Sequence, residues 1–441
     1  MKTPILDFVR EYEKNDTVRF HMPGHKGIGP LGIETLDITE IDGADVLYAP
    51  NGIIAESEEN ATALFGAAHT FFSTEGSSLS IKAMLAIACP VGSRVLAARN
   101  AHKSFLYAAA ILDLSVDWLY PNGDAHVCTS QITPALLEES LSSTEKLPSA
   151  VYITSPDYLG NIADIEQLSK VCKHYGVPLL VDNAHGAYLA FLSPSRHPIA
   201  LGASMVCDSA HKTLPTLTGG AYLHIAKSAP EAYLSRAREM LSMFASSSPS
   251  YLILASLDAT NEYLKGQMKK QLKAVIGQAE CLKKELCERG FSLCGNEPMK
   301  VTLYAPDYGY FGYEIAKHLN KCGIVAEFYD KEYLVLMLSS QTKEEDMLRL
   351  KDALFSLPKK QRLALHAPTI SPRVQKTSIR HALFAPSRCV NASDAIGKIC
   401  ATPALSTPPC IPLAVSGELI TEDAAEALLY YGITRLNIIE E

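Results

Sequence analysis

The sequence predicts an α/β protein with a mainly parallel sheet, followed by a smaller α+β domain toward the C-terminus. Four short apolar runs, SRVLAARNAHKS (93–104), SAVYITSPDYLGN (149–161), VPLLVDNAHGA (177–187) and ASMVCDSAHKT (203–213), each end in a polar cluster. Apolar runs of this length without alternation fit strands buried on both faces, as in a parallel sheet covered by helices. Between two of them, DIEQLSKVCKHYG repeats Ile165, Leu168, Val171, Cys172 and Tyr175 at helical spacing. Asp164 and Gln167 stand as in a capping box and Gly176 supplies the stop, so the segment completes a βαβ unit. Farther on, VTLYAP (301–306) and YLVLMLSS (333–340) flank the helical FGYEIAKHLNKCG, the mark of the smaller domain.

The 441 residues, 47 % of them apolar, suffice for two or three domains and at least one large core. Residues 1–50 read as an N-terminal arm, 51–255 as the large domain, 256–290 as a connecting helix, 291–375 as the small domain and 376–441 as a C-terminal lobe. The connecting helix belongs to an amphipathic stretch from about Pro249 to Arg289, with Leu272, Val275, Ile276, Ala279, Leu282 and Leu286 on one face. The tail ATPALSTPPCIPLAVSGE (401–418) is Pro-rich, yet apolar enough to be ordered. A net charge of −8 argues against nucleic acid or an anionic membrane as partner and favours a small molecule. Eleven scattered cysteines with no CxxC pair suggest neither a zinc ribbon nor a disulfide framework. With no signal peptide and no run of 18 apolar residues, a cytoplasmic location is expected.

In parallel α/β sheets ligands bind at the carboxyl ends of the strands, where the polar clusters converge. In FFSTEGSSLSIKAML, a strand gives way to Gly76, Ser77 and Ser78 at the start of a helix. That arrangement suits a phosphate, although an ordinary Ser-capped helix reads the same way, and an inward-pointing Glu75 would oppose an anion. Asp182 either caps a turn or holds a protonated ring nitrogen. Lys212, one strand later in CDSAHKTLP, is either a surface lysine or an amine able to form a Schiff base. His102 is either a satisfied core histidine or a group stacked on a ring. Together, an anion loop, a carboxylate and a lysine match the phosphate, pyridine nitrogen and aldehyde of pyridoxal 5'-phosphate. The sequence assigns no role to Asp208.

These residues resemble the bacterial ornithine/lysine/arginine decarboxylases, pyridoxal-phosphate enzymes of fold type I, in their short form. The likeness runs through FHMPGHKG (20–27), DGADVLYAPNGIIAESE (42–58), RNAHKS, SPDYLGN, VDNAHGAY, SAHKTLPTLTGG (209–220), FASSSPSYLILASLD (244–258) and TPPCIPLAVSGE. It implies Lys212 as the Schiff-base lysine, Asp182 as the partner of the pyridinium nitrogen and His102 as the ring-stacking histidine. Gly76, Ser77, Ser78, Ser209 and His211 correspond to the phosphate-binding group, and His185 lies beneath the ring. It further implies a homodimer or higher even oligomer with active sites at the subunit interface, near HMPGHKG and SSSPS. The sequence departs from the family pattern at Asn183, Glu75, Asp157, Leu159, Thr407, Cys410 and Ser416, where Glu, Asn, Thr, Tyr, Tyr, Gly and Pro are usual.

The resemblance implies decarboxylation of arginine, lysine or ornithine to CO2 and a di- or polyamine precursor, with Lys212 or His211 returning a proton to Cα. Glu327 and Glu56 are candidates for holding the substrate's distal cation, against the alternative of solvated carboxylates. Aminotransfer, aldol cleavage and a cofactor-binding regulatory role are the competing readings, because fold alone does not decide among them.

Overall fold

The computed structural model describes residues 1–15, 17–121, 131–369, 371–407 and 411–440. It divides into two compact units, residues 1–88 with 178–270 and residues 89–177 with 271–441. Residues 1–88 carry α1 (Pro4–Lys14), α2 (Ile53–Phe65), β1 (His69–Ser73) and α3 (Gly76–Ala88). Residues 89–177 carry β2 (Arg94–Ala98), α4 (Lys103–Ile111), β3 (Ser115–Leu119), α5 (Pro134–Ser142), β4 (Ala150–Thr154) and α6 (Ile165–His174). Then follow β5 (Leu179–Asp182), β6 (Met205–Asp208), α7 (Ala210–Thr213), β7 (Ala221–Ile225), α8 (Glu231–Phe244), α9 (Tyr251–Gly266) and α10 (Met268–Arg289). The next stretch holds β8 (Ser292–Cys294), β9 (Lys300–Tyr304), α11 (Gly312–Lys321), β10 (Phe328–Tyr329), β11 (Tyr333–Met337) and α12 (Glu344–Phe355). The chain ends with α13 (Ile379–Phe384), β12 (Ser387–Asn391), β13 (Ala404–Thr407), β14 (Ile411–Val415), α14 (Glu422–Tyr430) and β15 (Arg435–Ile439).

In the first unit the strand order is β1-β7-β6-β5. β5 and β6 are parallel, with Asp182 opposite Cys207, and β7 runs against both of its neighbours. In the second unit β2 pairs in parallel with β3 and with β4. All four apolar runs form strands that stop where their polar clusters begin. The helix between two of them starts on Asp164, whose carboxylate accepts the Gln167 N–H at 3.1 Å. The small sheet β10-β11-β9-β8 is antiparallel throughout. Within the Pro-rich tail, β13 and β14 pair antiparallel.

The stretch 249–289 is two helices rather than one. The break falls after Gly266, where glycine costs about 1 kcal/mol of helix propensity, and Gln267 is the C-cap of α9.

Carboxylates tie separate segments together. In the first unit Asp258 accepts the Ile5 and Leu6 N–H groups at 2.9 and 3.0 Å and the Ser57 hydroxyl at 2.6 Å, so it caps α1 from α9. Asp45 accepts N–H groups of Asn51, Gly52 and Ile54 at 3.0, 2.9 and 3.0 Å, which caps α2 from outside and explains the turn in DGADVLYAPNG. In the second unit Arg99 and Glu418, both fully buried, form a bidentate pair at 2.6 and 2.9 Å. The Arg99 guanidinium also lies over Trp118 and Tyr120.

Candidate active site

The first unit gathers most of the candidates at the carboxyl ends of β5 and β6 and the start of α3. Gly76 opens α3 at φ +72°, a left-handed conformation that glycine adopts without strain, and its N–H donates to Gly219 O at 2.7 Å. Ser77 and Ser78 follow in the first turn, and the Ser209 hydroxyl donates to Ser77 Oγ at 2.8 Å. The Glu75 carboxylate is engaged elsewhere, accepting the Ser246 N–H at 2.6 Å in the SSSPS segment. Helix-terminal N–H groups and clustered hydroxyls form a donor set suited to a phosphate dianion.

Asp182 ends β5 with only 2 % of its surface exposed. Its Oδ1 accepts the Ala184 N–H at 3.2 Å and the Cys207 thiol at 3.6 Å. Burial, with the carboxylates of Asp182 and Asp208 adding to it, pushes the Cys207 thiol well up, so it stays a protonated donor. Lys212, exposed on α7, lies with its Nζ 3.0 Å from His185 Nε2. The ammonium donates and the imidazole accepts, which leaves the His185 proton on Nδ1. His211 turns its Nδ1 to Gly220 O at 3.0 Å. Gly76, Ser77, Ser78, Asp182, His185, Ser209, His211 and Lys212 all belong to this one unit. Their donors, carboxylate and amine fit the three reactive ends of pyridoxal 5'-phosphate.

The second unit holds the other candidates. His102 is the N-cap of α4, and its Nδ1 accepts the Ser104 N–H at 3.2 Å. Glu327 is exposed and accepts the Tyr158 hydroxyl at 2.9 Å. Glu56, in the first unit, is exposed on the first turn of α2. Among the unusual residues, Asn183 donates to Asp208, Asp157 is held by Asn161, and Leu159 is buried in a cluster with Phe328 and Val335. The Ser416 hydroxyl donates to Thr402 O at 2.9 Å, and Cys410 lies outside the described residues. Asp157 and Asn161 border a cavity of about 10 Å³ with Asn100 and Thr154, whose Oδ1 and Oγ1 have no hydrogen-bond partner among the described residues. It is the size of one water molecule.

Sequence reasoning missed the buried partners of Asp208. His197 and His224 each place Nε2 3.0 Å from its Oδ2. A signal for them existed: Asp208 ends a wholly apolar strand, and His224 interrupts another, AYLHI.

Comparison with solved structures defines the class. The lysine decarboxylase of Francisella novicida superposes with a TM-score of 0.83 at 18 % identity, over 99 % of this chain and 81 % of that one. A serine palmitoyltransferase of Sphingomonas wittichii gives 0.57 at 12 %, over 81 % and 83 %. The fold is therefore that of the type I pyridoxal-phosphate enzymes. The profile of the Orn/Lys/Arg decarboxylase major domain matches residues 3–301, and the chain belongs to that family of amino acid decarboxylases. It is 30 % identical to the uncharacterized protein YaaO of Bacillus subtilis, over 97 % of this chain and 94 % of that one. It is 29 % identical to an arginine decarboxylase of Bacillus anthracis, over 96 % and 92 %. Among the described residues, no helix is long and apolar enough to cross a membrane.

Proposed function

We propose that this chain decarboxylates a basic amino acid, arginine, lysine or ornithine, at the group of residues around Lys212 with pyridoxal 5'-phosphate as cofactor. The observation that carries the reading is the 3.0 Å contact between Lys212 Nζ and His185 Nε2, in the same unit as Asp182 and the Ser77–Ser209 pair. When bound, pyridoxal 5'-phosphate supplies an aldehyde for an amine and a ring that takes up the electron pair left by departing CO2. The start of α3, with Ser77, Ser78 and Ser209, would hold its phosphate, and Asp182 would hold a proton on its ring nitrogen.

His185 can accept a proton from Lys212 Nζ, leaving the neutral amine that is nucleophilic. The same pair can return a proton to the substrate's Cα, with Nζ as donor. His211 is the weaker candidate for that step because its Nδ1–H is committed to Gly220 O. Loading the protein with pyridoxal 5'-phosphate should produce a visible absorption band that Lys212→Ala lacks. Incubation with each of the three amino acids, followed by amine detection by mass spectrometry, identifies the substrate. A saturated wild type with no visible band refutes the reading at its first step.

The same proposal takes the protein as cytoplasmic, as feeding a polyamine pool and as a homodimer with shared sites. An apolar row along the arm supports self-association: Val18, Phe20, Met22, Ile28 and Leu31 are all exposed, Phe20 to 95 %. Sedimentation of the purified chain should give at least twice the monomer mass. A Lys212 variant mixed with a variant altered in HMPGHKG should regain activity in the heterodimer.

A further inference from the structure

Asp208 is fully buried at the end of β6 and makes three hydrogen bonds. Its Oδ2 lies 3.0 Å from Nε2 of both His197 and His224, and its Oδ1 accepts the Asn183 amide at 2.6 Å. His197 Nδ1 accepts the Ile199 N–H at 3.3 Å, so the His197 proton is on Nε2 and points at the carboxylate. That assignment argues against a metal here, since an Nε2 that donates has no lone pair to offer an ion. His224 Nδ1 meets the Thr70 hydroxyl at 2.9 Å, and burial holds this imidazole toward its neutral form. Burial alone would raise the Asp208 carboxyl, but its two imidazole partners hold it well below the usual range, so a carboxylate ion is sealed under the strand end.

The third donor gives this network its consequence. Asn183 directly follows Asp182, and its backbone N–H continues the ladder to Cys207 O at 2.9 Å. Its own carbonyl accepts the Gly186 N–H at 2.7 Å. The Asn183 side chain fills the space beside Gly186 so closely that a Cβ there would lie 2.1 Å from Asn183 Oδ1. The turn carrying Asp182 at one end and His185 near the other is thus folded around Asn183, and Asn183 is pinned by Asp208. We propose that Asp208 is a positioning residue: clamped by His197 and His224, it fixes Asn183 and thereby aims Asp182 and His185 toward the cofactor site. The inference rests on the proposed function, because it concerns how those two groups meet the pyridoxal 5'-phosphate ring and Lys212.

The test uses the full chain loaded with pyridoxal 5'-phosphate and reads cofactor release, followed as loss of the visible band in the presence of a cofactor trap, beside steady-state kinetics. Asn183→Ala cuts the link while leaving the carboxylate and both imidazoles in place. It should speed release about tenfold and lower kcat about 10- to 100-fold, with KM within about threefold. Asp208→Asn can keep all three hydrogen bonds if the Asn183 amide turns over, and should stay within about threefold of wild type in both readouts. Asp208→Ala should resemble Asn183→Ala, and the double variant should be no worse than Asp208→Ala alone. Should Asp208→Ala fail to fold, the other two variants decide. Wild-type release and kcat in Asn183→Ala overturn the inference, and so does an Asp208→Asn protein as impaired as Asn183→Ala. A wild type with no visible band overturns the functional reading and this inference with it. A normal wild-type band with unchanged variants overturns the inference alone.

Discussion

Asp157→Asn should make the protein more stable at pH 8 and leave it unchanged near pH 4. Asp157 follows β4 with 4 % of its surface exposed, and its two oxygens accept the Asn161 N–H at 2.8 Å and the Asn161 amide at 2.7 Å. Lys300 is close, but its Nζ donates to the Asp157 carbonyl at 3.1 Å and is ion-paired with Glu297 at 3.1 Å. Burial therefore outweighs the stabilising contacts, and the carboxyl is pushed up to about 6. Its value in the unfolded chain is about 3.9. A group that binds its proton more tightly when folded destabilises the fold as pH rises through that window, and the cost is complete above the folded value. The interval of about two pH units corresponds to about 3 kcal/mol at most. An amide cannot ionise, and it keeps both hydrogen bonds if Asn161 turns its own amide over. Thermal unfolding of wild type and Asp157→Asn at pH 4 and pH 8 measures the difference. The variant should gain about 1–3 kcal/mol at pH 8 only. A pH-independent difference, or a variant less stable at pH 8, refutes the assignment of burial as the dominant cause.

Glu418→Gln should destabilise the second unit by about 3–5 kcal/mol, seen as a lower Tm, because it leaves the buried Arg99 guanidinium without its counter-charge. Replacing both partners, Arg99→Met with Glu418→Leu, should recover much of that loss. Asp258→Ala removes the acceptor for two N–H groups of α1 and should cost about 1–3 kcal/mol, with limited proteolysis then cutting within residues 4–14. Lys212→Arg keeps a positive charge on α7 but should abolish the visible band, separating the amine's chemistry from its charge.

The fold was legible because parallel strands are buried on both faces and read as unbroken apolar runs. The polar clusters mark their carboxyl ends for the same reason, since a chain leaving a buried sheet must solvate or pair its backbone. The split at Gly266 was not legible, because the apolar spacing continues across it: Leu264, Met268 and Leu272 are all buried. Lys212, Asp182 and Ser77 could be read as candidates because each stands at the end of a recognisable strand or the start of a helix. Their supports could not. His197 and His224 lie 11 residues before and 16 after Asp208, outside the strand that Asp208 ends, so no single helix or strand period links them. Arg99 and Glu418 are 319 residues apart.

Two buried carboxylates one strand apart have different surroundings, and strand geometry explains why. Asp182 is paired in register with Cys207, so their side chains share one face of the sheet, while Asp208, the next residue along β6, points to the other. The hydrogen bonds follow that division: Cys207 donates to Asp182, and Asn183 donates to Asp208. On one face Asp182 meets a thiol, a weak donor that a stronger cationic donor can outcompete. On the other, two imidazoles and an amide satisfy Asp208, leaving it suited to holding a turn rather than to receiving a ligand. On the proposed function, Asp182 must be fixed in place without being neutralised by its own neighbours. Under the proposal made above, fixing the backbone turn from the opposite face of the sheet would meet both demands, through the hydrogen bonds that Asp208 makes rather than through its charge.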